Sequence, residues 1–152
     1  MADGFAIADA LRHEQPAFFK TLTTVPMEFR NRARTSDYRR RIPAIRLDED
    51  GRVTEMRIGN FLRGPQRTNE DQMPRLYAAY RHLIRMTRED RFQIRFRLNA
   101  GEMSSFDNRR VLHARMAFNP NTGARHLQGC YVDTDEITSR LRILTRKASM
   151  SE

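Results

Sequence analysis

Apolar positions along the chain change period several times, and each change marks an element. Residues 5 to 22 read as two short helices. Ile7 and Leu11 share one face of the first, and Pro16 opens the second ahead of Phe18, Phe19 and Leu22. Met27 and Phe29 then alternate with polar residues as a strand does. "RIPAIRLDEDGRVTEMRIG" predicts a hairpin with "DEDG" as its turn, so that Ile45 and Leu47 face Val53, Met56, Ile58 or their neighbours. Pro43 implies that its first strand lies at an edge or begins there. After the loop "LRGPQRTNED" the period returns to 3.6, with Met73, Leu76, Tyr80, Leu83 and Ile84 on one helical face and Asp71 or Asn69 as the cap.

The last third predicts strands and a closing helix. In "FQIRFRLN", Phe92, Ile94, Phe96 and Leu98 fall on one side and Gln93, Arg95 and Arg97 on the other. "NAGE" turns the chain, "MSSF" extends it, and "VLHAR" and "RHLQGCYV" are the final apolar segments. "TDEITSRLRILTRK" is a helix starting near Thr134 or Asp135, with Ile137, Leu141 and Leu144 on one face. There is no internal repeat. This order predicts an α+β fold, a single domain over 1–152, in which part of an antiparallel sheet assembly has helices packed outside it.

Composition narrows the class. With 152 residues, 39% hydrophobic and 31% charged, the chain suits one soluble, folded domain. No apolar run approaches the roughly 18 residues of a membrane span, and "MADGFAIADALRHEQ" carries no secretion-signal pattern. Cys130 has no internal partner for a disulfide, so the expected setting is reducing and cytoplasmic. The net charge of +9 raises nucleic acid as a partner. Against it, the basic residues are arginines except for Lys20 and Lys147. They are spread along the whole chain, with one dense run at Arg39, Arg40 and Arg41. Arginine equally suits small anions, because a guanidinium grips a carboxylate through two parallel hydrogen bonds.

Candidate chemistry is sparse when read from residue types alone. The histidines are His13, His82, His113 and His126, and none begins an H-x-D or H-x-E triplet. There is no pair of cysteines for zinc. His82 sits beside the apolar face of its helix and reads as a surface or partly buried side chain. His113, at the end of an apolar run, reads by itself as a satisfied core histidine. Arg125 reads as a surface charge and Tyr131 as a packed strand aromatic.

"FDNRRVLHAR" followed by "RHLQGCYVDTDEITSRLRIL" changes those readings. Together these segments resemble the C-terminal part of the gamma-butyrobetaine dioxygenases, in the taurine dioxygenase-like branch of the Fe(II)/2-oxoglutarate oxygenases. "DGFAIADALR", "DEDGRV" and "RFQIRFRLNAGEMSSFDN" extend the resemblance over nearly the whole chain. It implies a partial double-stranded β-helix (jelly-roll) sheet core with flanking helices, and Fe(II) and 2-oxoglutarate as cofactor and cosubstrate. It implies that His113 is the distal histidine of a two-histidine, one-carboxylate iron triad. Arg125 would then bind the far carboxylate of 2-oxoglutarate. Tyr131 would belong to an aromatic cage around a small trimethylammonium substrate, held by cation–π attraction.

The sequence departs from the family pattern at several points. The tryptophan usual after "FDN" is Arg109, the one usual in "DWDE" is Thr134, and "IGNFLRGPQ" stands where the family has an asparagine-bearing strand end. These departures point away from gamma-butyrobetaine itself. The family's H-x-D precedes the segment that "DGF" resembles, so this chain is expected to hold one of three iron ligands and to lack the N-terminal domain. A truncated chain of this kind is expected to be inactive alone and to form a homodimer that covers its open sheet. Two other readings stand beside the oxygenase: a non-enzymatic descendant of the fold used as a binding or interaction protein, and an arginine-rich nucleic-acid binder.

Overall fold

A computed structural model of the chain describes residues 1–59, 63–117, 121 and 126–150. It divides into two compact units, Met1–Arg115 and Met116–Glu152.

The first unit begins with β1 (Ala2–Asp3), which leads directly into α1 (Gly4–Glu14) and α2 (Pro16–Thr24). The predicted face of α1 is the buried one: Gly4, Ile7, Ala8 and Leu11 recur at the three- and four-residue spacing that stacks side chains on one side of a helix. Proline opens α2, where its missing N–H has no helical partner to lose. β2 (Met27–Ala33) and β3 (Ser36–Ile42) form an antiparallel ribbon. β4 (Ile45–Leu47) and β5 (Val53–Met56) form the hairpin foreseen around "DEDG", with Ile45 opposite Met56 and Leu47 opposite Val53. Gly51 supplies the left-handed backbone that this turn needs, at φ 77°.

α3 (Met73–Met86) packs against α2 and α1, which in turn lie on β4 and β5. Ile7, Leu11, Leu22, Ile45, Leu76, Leu83 and Met86 are the largest fully buried side chains. The core is thus a helical layer laid on one small hairpin. Glu55 is buried beside it. Burial pushes its carboxyl up, but Arg57 and Arg46 more than offset that and leave it below the usual carboxylate range.

Other expectations fail for identifiable reasons. The ribbon β2–β3 runs seven residues on each side, yet only Met27 and Phe29 signal it in the pattern. Its distal part has no apolar face to alternate. Asp37 organises it instead, accepting a fork from Arg30 at 2.7 Å through both donors and a second from Arg39 at 2.8 and 3.3 Å. Together these guanidinium groups hold the Asp37 carboxyl far below its usual range.

"FQIRFRLN" is not a strand. A 3₁₀ turn covers Asp90–Phe92, Gln93 forms an isolated bridge to Ala2, and Ile94 and Phe96 are 63% and 53% exposed. Its period of two describes a segment able to be a strand, but a strand exists only beside a partner. "RHLQGCYV" is likewise unpaired over its described residues 126–132. The cap expected at Asp71 or Asn69 is replaced by a 3₁₀ turn over Glu70–Gln72, which leads into α3 without a side-chain cap.

Last in the first unit comes β6 (Val111–Leu112), antiparallel to β1. The three sheets are each two-stranded and antiparallel, and no closed barrel forms among the described residues. The second unit contains α4 (Thr134–Ser149). Ile137, Leu141 and Leu144 share its predicted face, which is exposed. No described helix is long and apolar enough to cross a membrane.

Candidate active-site segment

The segment that carries His113 is fixed by its contacts with the chain's first residues. Asp107 begins a turn: its carboxylate accepts the Arg109 N–H at 2.8 Å, and its carbonyl accepts the N–H groups of Arg110 at 3.1 Å and Val111 at 2.8 Å. Met56 donates its N–H to the Arg109 carbonyl at 2.8 Å, and Gly4 donates to the Arg110 carbonyl at 2.9 Å. Strand β6 then pairs with β1 and ends, and His113 is the next residue.

Asp3 ties this arrangement to α1. Its Oδ1 caps the helix, accepting from the N–H of Phe5 at 3.0 Å and Ala6 at 3.3 Å. Both carboxylate oxygens also receive the guanidinium fork of Arg110, at 3.1 and 2.7 Å. The Arg110 fork is the main reason that the Asp3 carboxyl lies below its usual range. Partial burial opposes the shift, and the two capping N–H groups add to it. A carboxyl with a depressed folded-state pKa contributes stability above its unfolded pKa and loses it as pH falls. The destabilisation caused by Asp3→Asn is therefore expected to be full at pH 6 and to shrink on acidification below about pH 4. Thermal melts of both proteins at pH 6 and pH 3 measure it, and an unchanged gap would contradict the linkage.

Gly4 is needed for a different reason. A Cβ there would stand 2.5 Å from the Arg110 carbonyl oxygen and 3.2 Å from Met56. The obstacle is backbone, which does not swing aside. Gly4→Ala is expected to cost about 1–3 kcal/mol and to loosen residues 109–112. Denaturant melts check the first effect and amide exchange at Val111 the second. Wild-type values for both would contradict it.

His113 is exposed, so its reading as a core histidine is corrected. The ring of Phe106 lies against it, with centroids 4.9 Å apart and planes inclined by 52°. Phe106, Asp3, Gly4 and Arg110 all shape the segment and were not singled out from the sequence. The recoverable signals were the cap residue before "GFAIADAL" and the aspartate of "FDN". His82, by contrast, is half-buried against Phe18 and hydrogen-bonded to Arg85, as its bland reading expected.

Tyr131 lies in the second unit and is 86% exposed, outside any strand, which replaces its reading as a packed strand aromatic. Arg125 lies outside the described residues. Among the described residues no three His, Cys, Asp or Glu side chains gather where they could hold a metal ion. His113 is one imidazole donor, and the described residues alone do not fit a three-ligand iron site.

Comparison with known proteins supplies what the geometry leaves open. The chain is 56% identical over 144 residues to gamma-butyrobetaine dioxygenase of Pseudomonas sp. (strain AK-1), covering 95% of this chain and 38% of that protein. It is 29% identical over 154 residues to the gamma-butyrobetaine dioxygenase of Homo sapiens, covering 97% of this chain and 39% of that one. It is 31% identical over 147 residues to the trimethyllysine dioxygenase of Neurospora crassa, covering 93% and 31%. The chain thus spans 31% to 39% of the length of these relatives. The model of the taurine catabolism dioxygenase TauD, TfdA family matches residues 1–131. With most of its length inside that match, the chain belongs to the TauD, TfdA family of dioxygenases.

Proposed function

We propose that this chain carries the distal-histidine portion of an Fe(II)/2-oxoglutarate-dependent dioxygenase that hydroxylates a small trimethylammonium compound. The observation that carries the reading is the 56% identity to a gamma-butyrobetaine dioxygenase over 144 residues. His113 would be an iron ligand, Arg125 would bind the 2-oxoglutarate carboxylate, and Tyr131 would face the substrate's quaternary nitrogen. Iron bound in the whole oxygenase would supply the coupling of 2-oxoglutarate decarboxylation to C–H hydroxylation. The chain's own contribution is to hold an imidazole at the end of β6, anchored through Asp3, Gly4 and Asp107.

In this reading the 152 residues are one part of a jelly-roll oxygenase domain. The remaining iron ligands and sheet strands come from polypeptide outside them. Beyond the bridge of Gln93 to Ala2, residues Arg95–Leu98 form no bridge among the described residues, and with Ile94 and Phe96 exposed they fit a strand awaiting such neighbours. A second reading, an oxygenase fold kept for binding alone, draws on the same donor set of one imidazole.

Anaerobic addition of Fe(II) and 2-oxoglutarate to the isolated chain tests the division. No visible band of the metal–2-oxoglutarate chelate is expected, because one imidazole does not retain the ion. A band that Arg125→Ala removes would contradict it, showing that the isolated chain builds a complete site.

A further inference from the structure

The two edges of the arginine-rich ribbon are treated differently by the fold. The outer side of β2 is occupied. Gly64 donates its N–H to the Glu28 carbonyl at 3.0 Å, the Gln66 side chain bonds both the N–H and the C=O of Glu28, and Phe29 bridges Arg63. The outer side of β3 forms no backbone bridge among the described residues. Because Glu28 turns its backbone groups outward, its partner Arg41 is a pair without mutual hydrogen bonds, and the alternation along an antiparallel ladder fixes the rest. Asp37, Arg39 and Arg41 therefore present free N–H and C=O groups along an open edge.

Charge selects what could add there. Residues 27 to 42 contain six arginines against Glu28 and Asp37, a net of four positive charges. Asp37, Arg39 and Arg41 share one face of β3, and Arg30 and Arg32 lie beside them on the same face of β2; Arg39 keeps its contact with Asp37, and Arg41 donates to the Arg67 carbonyl at 2.7 Å. A second copy laid antiparallel on this edge would bring another ribbon of net charge four beside the first, which is repulsive. A strand bearing carboxylates would meet opposite charges at the same positions.

We propose that the outer edge of β3 receives an extended acidic peptide segment, which adds a third strand to the β2–β3 ribbon. Main-chain hydrogen bonds to Asp37, Arg39 and Arg41 supply the pairing, and carboxylates on alternate residues of the incoming segment engage Arg39 and Arg41. Asp37, already holding Arg30 and Arg39, keeps those guanidinium groups ordered on that face. This surface is independent of the oxygenase reading and of His113.

The test is fluorescence anisotropy on the 152-residue chain with a labelled peptide that alternates glutamate and threonine. Its partner probe has the same sequence with N-methyl groups on the residues whose N–H would bond the edge. The unmodified peptide is expected to bind, and the methylated one to bind about 10-fold or more weakly, since several main-chain hydrogen bonds are lost together. Arg39→Ala and Arg41→Ala, checked for unchanged circular dichroism, should each weaken the unmodified peptide. Equal affinity for both peptides would overturn the proposal, because charge alone would explain it. Absence of peptide binding would also overturn it, as would tighter binding of oligothymidine, or self-association that Arg39→Ala abolishes.

Discussion

Leu83→Ala is expected to destabilise the first unit by about 2–5 kcal/mol, the usual range for deleting a buried leucine from a packed core. Leu83 is fully buried on α3, in the cluster that also contains Ile7, Leu11, Leu22, Ile45 and Met86. Removing its outer carbons loses their transfer energy and leaves a cavity, and the two costs add. That cost is a large share of the 5–15 kcal/mol typical of a whole domain. Leu144→Ala on α4 provides the contrast. Leu144 is 47% exposed, and its truncation should change stability by no more than about 0.5 kcal/mol. Denaturant melts followed by helical circular dichroism compare the two. Equal small effects would mean that α3 is not the centre of the core.

The elements that sequence reasoning found are those whose stability is local or whose apolar face is complete. α3 is legible because Leu76, Tyr80 and Leu83 repeat on one side of a helix and all three are buried. The β4–β5 hairpin is legible because "DEDG" dictates its turn: Asp48 and Arg52 close it across Gly51. The ribbon β2–β3 was illegible in its outer half because Arg30, Arg32, Arg39 and Arg41 give no hydrophobic alternation. Ion pairing on Asp37 and a two-residue turn at Arg34 and Thr35 shape it instead. The error ran the other way at "FQIRFRLN". Its alternation is real, but pairing depends on a neighbour, and among the described residues only Ala2 bridges to it.

The candidate site was drawn from a resemblance, and its setting was not legible. His113, Arg125 and Tyr131 came from the resemblance to the gamma-butyrobetaine dioxygenases, and the family match supports that source. Neither composition nor spacing indicated that His113 would be exposed or that Phe106 would lie against it. Nor did they indicate that Asp3 would serve at once as a helix cap and as the partner of Arg110, 107 positions away. Such contacts depend on which distant segments the fold brings together.

The central claim, that His113 is an iron ligand, is tested most directly in a complete oxygenase. The matched segment of the Pseudomonas relative, 38% of that protein, can be exchanged for the corresponding residues of this chain. Removal of a neighbour that merely orients a metal ligand costs about 10–100-fold, and loss of the ligand itself should exceed that. His113→Ala in the chimera should therefore abolish 2-oxoglutarate decarboxylation, and should leave the thermal melt close to that of the unsubstituted chimera, since the side chain is exposed. The measurement is CO₂ release from labelled 2-oxoglutarate by the chimera with and without that substitution. The account predicts turnover by the chimera and none by its His113→Ala form. Retained turnover after the substitution would remove His113 from the metal site and contradict the account.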